Sequence, residues 1–313
     1  MTNPFSAVYN ATPFFLTEGA VGTRLAEEFG LTPDAYIDKA GLLYNPAGRK
    51  ALTMIYRQYL QVAADCGLPL ILMTNTRRAN RARMTLANKA YQNVIADYTR
   101  FLRELAADYP CPTYIGGIMG CRGDAYTGAG ALTAAEALAF HSWQAEKMAD
   151  AGVDFVFEAI MPHVQEAIGL SRAVAAVGLP YVVSFMLRRS GQLPDGHFLH
   201  TAMEAVEEAM MGHAPLGYMV NCIHPAILHE ALSQAENRTD LVRARFHGIQ
   251  SNAANAEPEE LENAAAVKTS DAADLCAAVQ RLHALQPLKI IGGCCGTDET
   301  HMRALAWAMQ NGM

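Results

Sequence analysis

The chemistry-bearing residues of this chain are its cysteines. Cys294 and Cys295 stand side by side in Ile291-Gly292-Gly293-Cys294-Cys295-Gly296-Thr297, and Cys222 lies in Val220-Asn221-Cys222-Ile223-His224-Pro225. Neighbouring strand residues point to opposite faces, so two adjacent cysteines cannot serve one site from a regular strand. Flanking glycines free the backbone to turn both sulfurs the same way. Three thiolates that leave one coordination position open suit a catalytic Zn²⁺. The spacing is not that of a zinc finger, and the pair alone also fits a vicinal disulfide, two buried thiols or a glycine-rich phosphate turn. Only a fold that brings Cys222 to the pair selects zinc. Cys66, Cys111, Cys121 and Cys276 have no matching partners. Cys66 and Cys276 fall in helical patterns, where cysteine serves as a small buried hydrophobe.

The elements that must position these residues are legible in the apolar pattern. Short runs, apolar on both faces, occur at 13–17, 68–74, 113–119, 153–158, 181–185, 216–221, 241–248 and 288–291, as expected for strands of a covered parallel sheet. Helical spacing fills the intervals at 46–65, 91–107, 164–176, 199–211, 224–234, 272–285 and 299–310. Thr133 and Glu136 form a capping-box signature opening a further helix to about residue 150. Gly67-Leu68-Pro69, Gly152-Val153 and Gly178-Leu179-Pro180 punctuate helix-to-strand joints. Eight strands alternating with helices along all 313 residues predict one (β/α)8 TIM barrel, domain 1–313. An open doubly wound sheet ranks second, because Glu18-Gly19-Ala20-Val21-Gly22 does not fit the dinucleotide fingerprint. A barrel places chemistry at the C-terminal ends of its strands, and the ends of strands six and eight share one rim.

Composition excludes several classes. With 24 Lys+Arg against 31 Asp+Glu, the net charge is −7, which lacks the basic field that nucleic acid or an anionic membrane attracts. No apolar run approaches the roughly 20 residues that span a bilayer. MTNPFSAVYN has no secretory pattern, and seven cysteines form no disulfide framework, so reduced thiols and a cytoplasmic location are expected.

The motifs resemble the homocysteine S-methyltransferase family, the zinc-dependent barrel module also found in betaine–homocysteine methyltransferase and cobalamin-dependent methionine synthase. The resemblance covers nearly the whole chain. It rests on Leu16-Thr17-Glu18-Gly19-Ala20-Val21-Gly22-Thr23, Thr74-Asn75-Thr76, Ala125-Tyr126-Thr127-Gly128, Ala151-Gly152-Val153-Asp154 with Glu158 and Pro162, Asn221-Cys222, and Gly292-Gly293-Cys294-Cys295-Gly296-Thr297. It implies that Cys222, Cys294 and Cys295 bind zinc. It implies that Glu158 holds the homocysteine ammonium group, with Glu18 close by where the family usually has Asp. By the same resemblance, Gly19, Ala20 and the loop to Thr23 offer backbone N–H groups to the carboxylate. Asn75 either orients substrate or satisfies local backbone, Asn221 supports a zinc ligand, and Tyr126 either lines the donor site or is a buried tyrosine. His163, His224 and His229 are read as capping or solvated residues, since methyl transfer to a thiolate needs no general base.

The reaction implied is methyl transfer from a sulfonium donor, S-methylmethionine or S-adenosylmethionine, to homocysteine, giving methionine. Alternatives keep the chemistry but change the acceptor to another small thiol or selenol, or the donor to betaine. More distant readings are a zinc-binding or redox-switch barrel without methyl transfer, and a zinc hydrolase, for which no His-x-His follows the first strand. Departures from the family gather around the substrates: Gly120-Cys121-Arg122-Gly123-Asp124 after strand three, Ala159 where Thr is usual, Asn252-Ala253-Ala254-Asn255-Ala256, and Arg77 where an aromatic is common. Arg78, Arg81 and Arg83 extend a basic cluster from Arg77. Oligomeric state is left open, with a homo-oligomer compatible.

Overall fold

Segments that are apolar on both faces become strands when each face meets its own apolar layer. In the computed structural model, which describes residues 4–89, 92–257, 260 and 269–313, eight such segments form a closed parallel barrel in chain order. The strands are β1 (Phe15–Thr17), β2 (Leu70–Met73), β3 (Thr113–Gly120), β4 (Phe155–Met161), β5 (Tyr181–Phe185), β6 (Gly217–Ile223), β7 (Phe246–Ser251) and β8 (Ile290–Gly293). β8 closes on β1 through the pairs Phe15–Ile290 and Leu16–Ile291. The expected barrel is therefore the observed one.

Two apolar layers share the strands. Phe15, Ile71, Phe155, Val182, Met219 and Ile290 fill the inside of the barrel. Leu16, Leu70, Leu72, Val156, Val183 and Val220 face the helices. The helix Pro4–Ala11 closes the N-terminal end of the barrel: Phe5 stacks on Phe155 at 4.6 Å and packs on Tyr114 and Phe15. Tyr9 anchors it through His247 Nδ1 at 2.6 Å, and Lys289 Nζ donates to the Tyr9 carbonyl.

Local chemistry sets the helix ends. Thr133 and Glu136 complete the expected capping box at the start of Ala134–Ala151, and left-handed Gly152 ends that helix. One strand departs from expectation. Residues 240–245 form the short helix Asp240–Arg245, with Thr239 accepting from Val242 N, and β7 begins only at Phe246. The apolar residues Leu241 and Val242 had suggested a strand, but the Thr-Asp start is a helix-capping signal that outweighs them. The helix expected over 91–107 runs Val94–Ala106; Tyr91 lies outside the described residues.

Candidate metal and substrate site

The C-terminal rim carries a cavity of about 390 Å³, and Cys222, Cys294 and Cys295 all line it. Their sulfurs lie within 4.8 Å of one another, and Cys222 Sγ is 2.8 Å from Cys294 Sγ. Sulfurs on one tetrahedral zinc, each at about 2.3 Å, stand about 3.8 Å apart, so the donor set suits that ion, and the Cys222 and Cys294 sulfurs would part by about 1 Å to receive it. The cluster joins two chain segments 72 residues apart.

Each cysteine is aimed by a specific backbone device. Cys222 adopts a left-handed conformation, φ 60°, where the β6–β7 register shifts between Asn221 and Ile223. This bulge lets two consecutive residues, Asn221 and Cys222, both line the cavity. The Asn221 carboxamide oxygen accepts from Ile160 N at 2.9 Å and Ser184 Oγ at 2.7 Å, while its amide nitrogen approaches Cys222 Sγ at 3.5 Å. Asn221 thus ties β4, β5 and β6 together behind the sulfur. Cys294 and Cys295 follow β8 in a turn held by Cys294 N to Ser251 O and Ala253 N to Cys295 O. Gly296, directly after them, is left-handed at φ 79°, the freedom expected of a flanking glycine, but the two glycines before them act differently. Neither Gly292 nor Gly293 has positive φ; a side chain on Gly292 would meet Thr17 Oγ1 at 1.9 Å, and one on Gly293 would meet Thr297 Oγ1 at 2.3 Å. They are small because β8 and its turn press against β1.

Three close thiols cannot all ionise unaided. Hydrogen bonds from Cys222 and Cys294 hold the Cys295 thiol well below its usual range. Cys294 is pushed well above it, first by its bond with Cys222 and then by Cys295. For Cys222 the bond with Cys294 pulls down, yet Cys295 and burial win and push it up to about 12. A dication at the cluster would supply the missing charge.

The predicted substrate residues divide. Glu18, just past β1, lines the cavity; both carboxyl oxygens lie at hydrogen-bond distance from Met73 N, at 3.2 and 3.1 Å. Burial pushes its pKa up to about 8 against these backbone bonds. Gly19 and Ala20 also line the cavity. The Ala20 N–H, however, already donates to Thr297 Oγ1 at 3.1 Å. Thr297 Oγ1 also donates to Cys294 O at 2.7 Å, so it fastens the β1 loop to the cysteine turn. Asn75 lines the cavity with its amide nitrogen tied back to Tyr56 and Tyr98, each at 2.7 Å, and its carboxamide oxygen accepts no hydrogen bond among the described residues. Tyr126 reaches the cavity from a turn built on Asp124, and the charge of Cys222, then burial, raises its hydroxyl pKa.

Glu158 is not brought to the cavity. It is fully buried on the outer face of β4, where Oε2 accepts from Ser171 Oγ of the helix Val164–Ala176 at 3.1 Å. Its Oε1 has no partner among the described residues, and burial lifts its pKa well above the ordinary carboxylate range. Ordinary strand alternation puts it there, between Phe157 and Ala159, which line the cavity. The bulge follows it: Ile160 is left-handed at φ 51° and lines the cavity too, and the β4–β5 register shifts between Glu158 and Met161. Asp38 and Lys39 line the mouth without having been expected there. Asp38 precedes and Lys39 opens the short 3-10 helix Lys39–Tyr44, which carries no clear periodic signal. His163 and His224 cap helices through Nδ1, as expected.

The sequence model of the homocysteine S-methyltransferase family matches residues 15–309. The chain belongs to the homocysteine S-methyltransferase family. It is accordingly a methyltransferase enzyme. Among solved structures it is similar to the homocysteine methyltransferase MmuM from Escherichia coli. The metallated form is 20% identical at TM-score 0.76 and the oxidised form 21% identical at the same TM-score; each match covers 98% of this chain and 100% of MmuM. The apo form is 21% identical at TM-score 0.67 over 97% of this chain. At these identities the likeness shows the shared barrel. No curated protein sequence matches this chain. Among the described residues, no helix is long and apolar enough to cross a membrane.

Proposed function

We propose that this family member is a zinc-dependent methyltransferase that moves a methyl group from a sulfonium donor, S-methylmethionine or S-adenosylmethionine, to homocysteine, giving methionine. The observation that carries this reading is the convergence of Cys222, Cys294 and Cys295 on the wall of the rim cavity. All three are soft donors facing open space, the arrangement of a catalytic rather than a structural zinc. The metallated form of the similar MmuM barrel supports a metal here.

Zinc, when bound, supplies a Lewis acid that keeps an alkyl thiol, of ordinary pKa near 8.5, as the nucleophilic thiolate at neutral pH. The protein's own part is to bind and align. Glu18 and the carboxamide oxygen of Asn75 offer acceptors to the ammonium of the amino-acid acceptor on the β1–β2 side. Phe157, Ile160 and Ile118 form a dry wall that excludes water from the reacting atoms. Tyr126 borders the space left for the donor. Alignment of sulfur, methyl carbon and leaving group is then mainly a matter of proximity. A three-thiol site also needs a reducing compartment, which favours the cytoplasm.

The test is a donor panel. Zinc-loaded protein is incubated with homocysteine and S-methylmethionine, S-adenosylmethionine or betaine, with methionine as readout and metal content measured in parallel. Methionine from a sulfonium donor, with one zinc per chain, is the expected result. Bound zinc without methionine from any donor rejects the reading.

A further inference from the structure

Arg77 stands apart from the other charged groups of the mouth. It follows β2 closely and lines the cavity, half-buried. Lys39, which lines the same cavity, is tied to Asp38 Oδ2 at 2.9 Å. Arg77 makes no hydrogen bond or ion pair among the described residues. Its stem lies over the end of β3, where a side chain on Gly120 would come within 2.6 Å of Arg77 Cγ and 2.9 Å of Cδ. Glycine there leaves the room that the stem occupies. Arg78 beside it is held below the usual arginine range by burial first and by the Arg77 charge next. A half-buried cation with no carboxylate partner is costly to keep unless a ligand pairs it.

Its place on the rim says which ligand. In a ring of eight strands, β2 and β6 are opposite, so Arg77 faces Cys222 across the mouth. In an in-line displacement the leaving group lies on the far side of the methyl carbon from the acceptor sulfur. An acceptor sulfur at the cysteines therefore sends the leaving group toward β2–β4. We propose that Arg77 is a specificity-determining residue that binds a carboxylate on the methyl donor, so that the donor is an onium carboxylate. This rests on the methyl-transfer reading above. Guanidinium pairs with a planar carboxylate through two parallel hydrogen bonds and repels the onium centre, which turns the methyl group toward the thiolates. In the transfer, the bond from acceptor sulfur to methyl carbon forms as the bond from methyl carbon to the onium atom breaks. The electron pair of the broken bond stays on that atom, which leaves neutral; no proton or oxidant is required.

The experiment measures donor binding in the absence of any thiol acceptor, so that no turnover occurs. S-methylmethionine and betaine, each beside its methyl ester, are titrated by calorimetry into zinc-loaded wild type, Arg77→Gln and Arg77→Lys. Wild type is expected to favour the carboxylate of at least one pair by about 10- to 100-fold, the range of a hydrogen bond to a charged group. Arg77→Gln erases that ratio and Arg77→Lys recovers part of it. With homocysteine added, the loss appears in donor KM rather than kcat. Equal binding of acid and ester to wild type, or a preference that survives in Arg77→Gln, overturns the assignment. Should no donor give methionine, the methyl-transfer reading fails, while the binding ratio still decides whether Arg77 reads a carboxylate.

Discussion

Two bulges stand close together on the barrel rim, at the ends of β4 and β6 with β5 between them. At the end of β6, left-handed Cys222 brings a sulfur inward beside Asn221; at the end of β4, left-handed Ile160 brings an apolar side chain inward beside Ala159. The Asn221 oxygen accepts from Ile160 N, so one bulge is pinned to the other. The same backbone device thus has opposite chemical results. On β6 it completes a ligand set. On β4 it adds Ile160 to Ala159 and gives the cavity a dry wall. The cysteine side of the cavity carries the motifs by which the chain resembles its family, and the β2–β4 side is where the chain departs from them.

The largest effect should come from breaking the β6–β8 side. Cys294→Ala removes one of three soft donors; zinc content is expected to fall to the background seen by elemental analysis, and methyl transfer by at least about 1,000-fold, the scale for losing a catalytic metal. Retention of one zinc per chain would break the assignment of that half. Next is the pin between the bulges. Asn221→Ala should weaken zinc binding by about 10- to 100-fold in a chelator competition, the usual cost of losing a group that orients a ligand.

The substrate half predicts smaller numbers. Glu18→Gln should raise KM for homocysteine about 10-fold, the loss of one charge-assisted contact. With a pKa of about 8 in the free protein, Glu18 must shed its proton to pair an ammonium, so wild-type KM should fall as pH rises toward 8. That slope should lose one proton in Glu18→Gln, whereas an unchanged slope would remove Glu18 from acceptor binding. The smallest kinetic effect belongs to Glu158. Because its carboxyl meets Ser171 behind the sheet, Glu158→Gln should leave both KM values within about 2-fold, well under the 10-fold of a lost charged contact. Its signature is in stability. A carboxyl whose folded pKa is raised favours the protonated fold, so its contribution is fully present below its ordinary value of 4.5 and is lost as pH climbs toward the raised value. Thermal unfolding of Glu158→Gln should show a flatter decline over that range; a large homocysteine KM effect instead would place Glu158 at the substrate after all.

What the sequence made legible follows from the range of each signal. Strands apolar on both faces, Gly152 and the Thr133–Glu136 box are local features, and the barrel they predict is the barrel observed. The cysteine cluster was legible because barrel topology alone brings the ends of β6 and β8 to one rim. Glu158 was expected at the substrate because it resembles the family's acid, and a motif match carries no strand parity; alternation between the inward Phe157 and Ala159 turns its side chain outward to Ser171. Gly292 and Gly293 were read for conformational freedom when close contact with Thr17 and Thr297 explains them. Asp38 and Lys39 stand at the start of the short 3-10 helix Lys39–Tyr44, whose placement depends on tertiary packing.

The aromatic plug at the opposite end has a kinetic consequence. Phe5 on Phe155, with Tyr9 bound to His247, fills the N-terminal end of the barrel, so the cavity is reached from the rim. Two substrates share one doorway. A donor seated over the mouth covers the cysteines behind it, so excess donor should slow entry of the acceptor. Initial-rate patterns should therefore show inhibition at high donor concentration that more acceptor relieves.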